Sequence, residues 1–180
     1  MKMKKITKLS LLIVFLVSTT ISCKKNINSG QLRVDMTDSP SNGYEHIYID
    51  LKQVSVHYDG SREDTWMNLP TNKGSYDLLE LTNNLTVVIV PECDVPIGKI
   101  SQIRFILGEQ NSVVIDGISY FLKIPSSYTS GIKIKVNQVI KRRKNLLIVL
   151  DFNAEKSVKQ IGTGNYIMEP VIEVKSVSNY

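Results

Sequence analysis

Two histidines, two cysteines and one tryptophan are all that the 180 residues hold of three side chains often used in catalysis, metal ligation and stacking. No nucleophile elbow, phosphate loop, dinucleotide fingerprint or HExxH helix occurs, so the enzyme classes that announce themselves by motif are excluded. No stretch sustains an amphipathic helical period over eleven residues, which argues against a helical or α/β fold. No internal repeat and no low-complexity segment breaks the chain. What is there is ordinary globular material, 42% apolar and 22% charged, in a length that suits one domain.

A net charge of +5 suggests a polyanion partner until the charges are located. Lys2, Lys4, Lys5 and Lys8 all precede the apolar run Leu9 to Val17, and Ser18 to Ser22 follow it as a small, polar stretch. This is the layout of a secretory signal. Nine helical residues reach about 14 Å, short of the roughly 30 Å of a bilayer core. Removing the four lysines from 22 basic residues leaves 18 against 17 acidic ones, about +1, and nucleic acid drops out as a partner. Thr20-Ile21-Ser22-Cys23 resembles a bacterial lipobox, with Thr where Leu is usual. The expectation is therefore a signal peptide over residues 1–22, lipidation of Cys23, and a short flexible spacer over 23–30. The alternative is an ordinary signal peptide with a chance cysteine. Lys24 and Lys25 stand where surface-exported lipoproteins carry acidic residues, so the periplasmic and surface leaflets both stay open.

With Cys23 acylated, Cys93 has no intrachain partner for a disulfide. Glu92 and Asp94 flank it and raise a thiol's pKa, against a reactive nucleophile.

From Gln31 onward the pattern has period two, with turn residues between segments. Leu32, Val34 and Met36 predict a first strand, and the cluster from Asp38 to Gly43 a loop. Ile47, Ile49 and Leu51 share one parity, and Val54, Val56 and Tyr58 the other, which predicts a β-bulge near Lys52-Gln53. Trp66 to Leu69, Tyr76 to Leu81, Leu85 to Val90 and Ile100 to Leu107 are further apolar segments. Asp116-Gly117 between β-rich runs predicts a tight hairpin. Ile132, Ile134 and Val136 give a strand with one wet face. Leu146 to Phe152 reads as a strand buried on both faces, and Tyr166 to Val177 as a last strand with Pro170 at an edge or bulge. The sum is an all-β, antiparallel β-sandwich of about nine to ten strands, one domain over 31–178.

These segments carry a resemblance. Gly30 to Val34 with Thr37-Asp38-Ser39-Pro40, Val54 to His57, Tyr76 to Leu81, Pro96 to Arg104, Gly108, Asp116-Gly117, Ile124-Pro125-Ser126, Ser130 to Lys133 and Leu150 to Ala154 with Ser157 are similar to the domain of unknown function 4382 family. The resemblance implies a predicted lipoprotein of Bacteroidetes-type bacteria. The Pro-Ile-Gly-Lys-Ile-Ser segment is similar to one in transthyretin-like and carboxypeptidase-regulatory-like sandwiches. The family has no assigned activity, so the resemblance brings no catalytic residues.

Few constellations remain to weigh. His57 falls opposite Val56 and Tyr58, on the solvent face, as a surface histidine or as the one general-base or metal-ligand candidate; His46 is the other histidine. Asp35, Asp38 and Asp151 near strand ends are calcium candidates, set against plain Asx-turn chemistry at Asp38. Lys141, Arg142, Arg143 and Lys144 form the densest charge run, read as a solvated hairpin tip or as a contact with anionic headgroups or glycan. Trp66, Tyr44, Tyr58 and Tyr128 pack at the rim or stack on sugars. The expectation is a non-enzymatic module without cofactor, lipid-anchored in the cell envelope, in the outer membrane, binding or scaffolding a protein or glycan. The alternative is an envelope hydrolase or metal-dependent enzyme.

Overall fold

The computed structural model describes residues 28–40, 43–62 and 65–180. The signal segment, Cys23 and the spacer to residue 27 lie outside the described residues, as do Ser41 and Asn42 of the loop after the first strand.

Among the described residues, thirteen strands form two facing sheets. The smaller has the order β13 (Ile172–Asn179), β10 (Asn145–Phe152), β1 (Ser29–Thr37), β5 (Val87–Pro96). The larger runs β11 (Val158–Gly162), β12 (Asn165–Met168), β8 (Ile118–Lys123), β7 (Ser112–Ile115), β2 (His46–Tyr58), β6 (Gly98–Leu107), β9 (Ile132–Ile140). Two short strands, β3 (Met67–Asn68) and β4 (Gly74–Asp77), add to β2. Leu32, Val34 and Met36 from one sheet and Ile47, Ile49, Val54, Val56 and Ile103 from the other fill one core. Phe105 and Phe152 meet edge to face across it at 6.3 Å, a contact worth roughly 0.5–1.5 kcal/mol beyond its buried area. The sandwich is as the alternation predicts, and the count is higher because Tyr166 to Val177 divides into β12 and β13 and β11 is too short to show a period.

Several local expectations hold. The register of β2 on β6 shifts between Leu51 and Gln53, the bulge that lets both apolar sets face inward. Asp116 and Gly117, at φ +50° and +71°, turn β7 into β8. β10 lies inside its sheet, but burial on both faces does not hold: Leu146, Ile148, Leu150 and Phe152 are buried on the core face, while on the other face Val149 is buried and Asn145, Leu147 and Asp151 are half-buried.

Others are corrected. The sandwich is mixed rather than antiparallel, since β1 pairs parallel with β10 and β12 with β8. A strand as apolar as β10, inside its sheet, suits a parallel position. Tyr166 to Val177 is two strands in different sheets, parted at Pro170, which has no amide hydrogen for a ladder. Tyr76 to Leu81 ends in a 3-10 turn, Leu78–Leu81, capped by Asp77. β5 runs through Pro91 and Pro96, which an edge strand tolerates. One turn of helix, α1 (Ala154–Ser157), follows β10, capped by Asn153. The spacer does not extend to residue 30: Ser29 and Gly30 are buried in β1, and a Cβ on Gly30 would stand 2.4 Å from the Lys141 carbonyl oxygen.

One seam matters for the site. Tyr48 pairs with Asp77 on one edge of β2 and Ser112 on the other, and Leu51 with Gly74 and Leu107. β6 and β7 therefore share one edge of β2 end to end, broken by Gly108 to Asn111. The larger sheet splits there into a β6–β9 part and a β7–β8 part.

The sandwich has two distinct ends. At the proximal end β1 starts, with Ser29 beside Pro96, Gly98 beside Ile140, and the Arg143 N–H donating to the Ser29 carbonyl. At the distal end β1 finishes, Thr37 lies beside Asp151, and His46 opens β2.

Candidate functional site

The three calcium candidates do not assemble. Asp35 takes two hydrogen bonds of 2.8 Å from the Arg33 guanidinium, a fork that neutralises it in place. Asp38 and Asp151 do come together at the distal end. Asp38 is 1% exposed; its Oδ1 accepts from the Ala154 N–H at 2.9 Å and its Oδ2 has no partner. Asp151 Oδ2 accepts from the Ser39 hydroxyl at 2.8 Å, and its Oδ1 is likewise buried without a partner. Burial is the main force on Asp38, the charge of Asp151 adds to it, and its pKa is pushed up to about 7 against the pull of the Ala154 N–H. A proton on Asp38 supplies a donor where two carboxylates otherwise offer acceptors only. Among the described residues no set of three or more His, Cys, Asp or Glu side chains gathers as a metal centre.

The histidines lie apart. His46 Nδ1 meets Asp77 Oδ2 at 2.5 Å, and the same carboxylate caps the 3-10 turn. His57 stands on the outer face of the larger sheet. Its Nε2 is 2.9 Å from the Arg62 carbonyl and so carries a hydrogen, while Nδ1 is 3.0 Å from the Ser101 hydroxyl. That hydroxyl also reaches the His57 carbonyl at 3.0 Å. Among the described residues no carboxylate is hydrogen-bonded to His57 or Ser101.

Three of the four aromatic candidates are taken up by packing. Trp66 covers the Arg104 guanidinium at 4.5 Å and the Lys133 ammonium at 5.8 Å, and leans on His57. The Tyr58 hydroxyl donates to the Pro96 carbonyl at 2.8 Å, and burial pushes its pKa up to about 12. Tyr44 packs against the core. Cys93 is half-buried, its thiol pKa raised first by burial and then by Asp94 and Glu92.

Tyr128, the fourth, belongs to a cleft at the seam. A cavity of about 440 Å³ opens between the two parts of the larger sheet, lined by Leu107, Ile124, Tyr128 and Phe121 with Glu109, Lys123, Asn111 and Thr129. Across Phe121 lies a second concavity of about 590 Å³, lined by Tyr48, Ser75, Gln110, Ser112 and Ser119. The Phe121 ring stands between them, 63% exposed. Its orientation follows from β8: Leu122 is buried, so Ser119, Phe121 and Lys123 point outward. The floor is rigid. Asn111, fully buried, accepts from the Asp50 N–H at 2.9 Å and donates to the Gly108 carbonyl at 2.8 Å. Gly108 leaves no room for a Cβ without a shift of its neighbours, since one would fall 2.1 Å from Asp50 Oδ2 and 2.3 Å from Lys52 Cε. Tyr48, on the cleft, precedes Tyr58, at the proximal end, by ten residues of strand, roughly 30 Å.

The basic run is not a hairpin tip. Lys141 to Lys144 joins β9 to β10, which belong to different sheets, so it is the arch between them. Its backbone docks on the start of β1: the Gln31 N–H donates to the Lys144 carbonyl at 2.9 Å, and the Arg143 N–H to the Ser29 carbonyl at 3.1 Å. Arg142 Nη2 donates to Asn28 Oδ1 at 2.7 Å.

The model of one protein family, described as Domain of unknown function (DUF4382), matches residues 29–170. No curated protein and no solved structure matches the chain.

Proposed function

The chain belongs to the DUF4382 family, and from that premise we propose that it is a lipid-anchored, non-enzymatic binding module of the cell envelope that takes a neutral glycan in the cleft around Phe121. The compartment is the outer membrane of a Bacteroidetes-type bacterium, supported by the signal-like segment ahead of Cys23. The observation that carries the ligand is one exposed aromatic ring between two concavities rimmed by amides and hydroxyls. A sugar ring has an apolar C–H face that lies on an aromatic ring and hydroxyls that bond outward to such a rim. The cleft contains one Lys and one Glu, so it carries no net charge to demand an ionic ligand. It also sits roughly 30 Å along β2 from the end where the chain leaves for its anchor.

Affinity electrophoresis through gels of neutral polysaccharides tests this. The wild-type chain is retarded by at least one of them, and Phe121→Ala, a change at an exposed side chain, migrates freely in the same gel. Free migration of the wild type in every gel, or equal retardation of the variant, sinks the glycan reading.

A hydrolase is the second reading, favoured by the Ser101–His57 contact with His57 held by the Arg62 carbonyl. Against it stands a hydroxyl that also donates to the His57 carbonyl. A fluorophosphonate probe leaves Ser101 unlabelled on the binding-module reading; labelling abolished by Ser101→Ala would favour the enzyme.

A further inference from the structure

We infer that the proximal end is a membrane-contact surface for anionic phospholipid headgroups, built from the basic arch Lys141–Lys144 and the exposed apolar side chains Ile97 and Val139. The inference rests on the lipid-anchor reading of Cys23 and deepens it into an orientation.

The arch is tight: the Lys144 N–H donates to the Lys141 carbonyl at 3.2 Å and Arg143 sits at φ +53°, so four cationic side chains leave one turn. All four are exposed, and none forms an ion pair with a described residue. Of the nearby acids, one is neutralised by an ion pair and one keeps its charge on neutral hydrogen-bond donors. Asp59 is paired with Lys99 at 3.0 Å, and Glu92 accepts from the Tyr180 hydroxyl at 2.6 Å and from Asn145. Asp94, opposite Gln31, is exposed. Against the four cations of the arch stand Glu92 and Asp94, so the local balance stays positive on a chain that is nearly neutral once its leader is gone.

Position supplies the partner. Arg142 is bonded to Asn28, and Cys23 lies five residues earlier, a span of at most roughly 18 Å. A diacylated Cys23 would therefore hold the arch close to the headgroups of its own leaflet, whatever path the intervening residues take. The same end adds apolar surface: Ile97, 44% exposed, donates its N–H to the Asn28 carbonyl at 3.4 Å, and Val139, 51% exposed, lies opposite Lys99. Cations with apolar side chains at one end match the interface of a bilayer, where charge meets phosphate and methyl groups enter the headgroup layer.

The test uses the chain from residue 23 with Cys23→Ser, so that no acyl chain masks the contact. Sedimentation with phosphatidylglycerol-rich vesicles at low ionic strength captures it, pure phosphatidylcholine vesicles do not, and added salt releases it. Replacing Lys141, Arg142, Arg143 and Lys144 with Ser lowers the partition coefficient by about fivefold per charge removed. Lys133→Ser with Lys135→Ser, on the outer sheet face, has a much smaller effect per charge. Wild-type-like sedimentation of the fourfold variant overturns the inference, as does an equal per-charge loss in the sheet-face variant. The tether is judged separately by the mass of Cys23 in the native protein, so an acylated protein whose Cys23→Ser form ignores anionic vesicles refutes the contact surface alone.

Discussion

Asp38 shows how a residue that reads as turn chemistry becomes a titrating group. Its ordinary task is local, a carboxylate after the first strand in front of Ser39-Pro40. Folding adds burial and the charge of Asp151, and the carboxyl is raised to about 7. The folded state therefore holds a proton that the unfolded chain releases at ordinary carboxylate pH. The stability gained from that proton is fully present below the unfolded value and is lost as pH rises through about 7, with a slope of about 1.4 kcal/mol per pH unit between the two. Urea unfolding across this window shows stability falling with pH from this group. Asp38→Asn keeps an acceptor for the Ala154 N–H and adds a donor toward Asp151, so it flattens the slope and raises stability above neutrality. An unchanged slope would assign the pH dependence elsewhere. Phe121 was legible by parity, because Leu122 on one face of β8 places Phe121 on the other. It escaped notice because an outward phenylalanine means little until a cleft is seen beside it. Asp35 misled because a partner two residues away on its own strand, Arg33, satisfies it.

At the scale of elements, the chain announces what is local and withholds what depends on a distant partner. The phase change at Lys52-Gln53 and the Asp116-Gly117 turn are written within a few residues, and both are found; the apolar run of β10 is buried on its core face, while its other face is mostly half-buried. The Lys141–Lys144 run sits between two strands of good period, which looks like a hairpin. Only the pairing of β10 with β1, over a hundred residues earlier, turns it into an arch. Pro170 marked a break correctly, but whether the strand resumed in the same sheet was not encoded nearby. The seam is the element on which the cleft depends. Gly108→Ala forces its methyl against Asp50 Oδ2 and Lys52 Cε, at 2.1 and 2.3 Å from the ideal position, and costs roughly 1–3 kcal/mol of unfolding free energy by overpacking. Chemical denaturation measures this, and on the proposed glycan reading the same variant is retarded less in the polysaccharide gel because the Asn111 floor shifts. Wild-type stability in Gly108→Ala would mean that the seam yields freely.

For the whole molecule, a charged end and a cleft are set in line by one strand. β2 runs from the distal end to the proximal end, with the cleft near its start and the contacts of Tyr58 at its finish. An anchor before residue 28 would hold one end to a leaflet and turn the cleft toward the space beyond it. The sandwich needs neither metal nor disulfide to fold in this view, since a chain of this size buries about 70% of its unfolded surface. The most direct measurement is the intact mass of the protein extracted from its native envelope. The account predicts a chain that begins at Cys23 and carries acyl groups on it. A full-length chain with Met1 in place, recovered unacylated from the soluble cell interior, would contradict it.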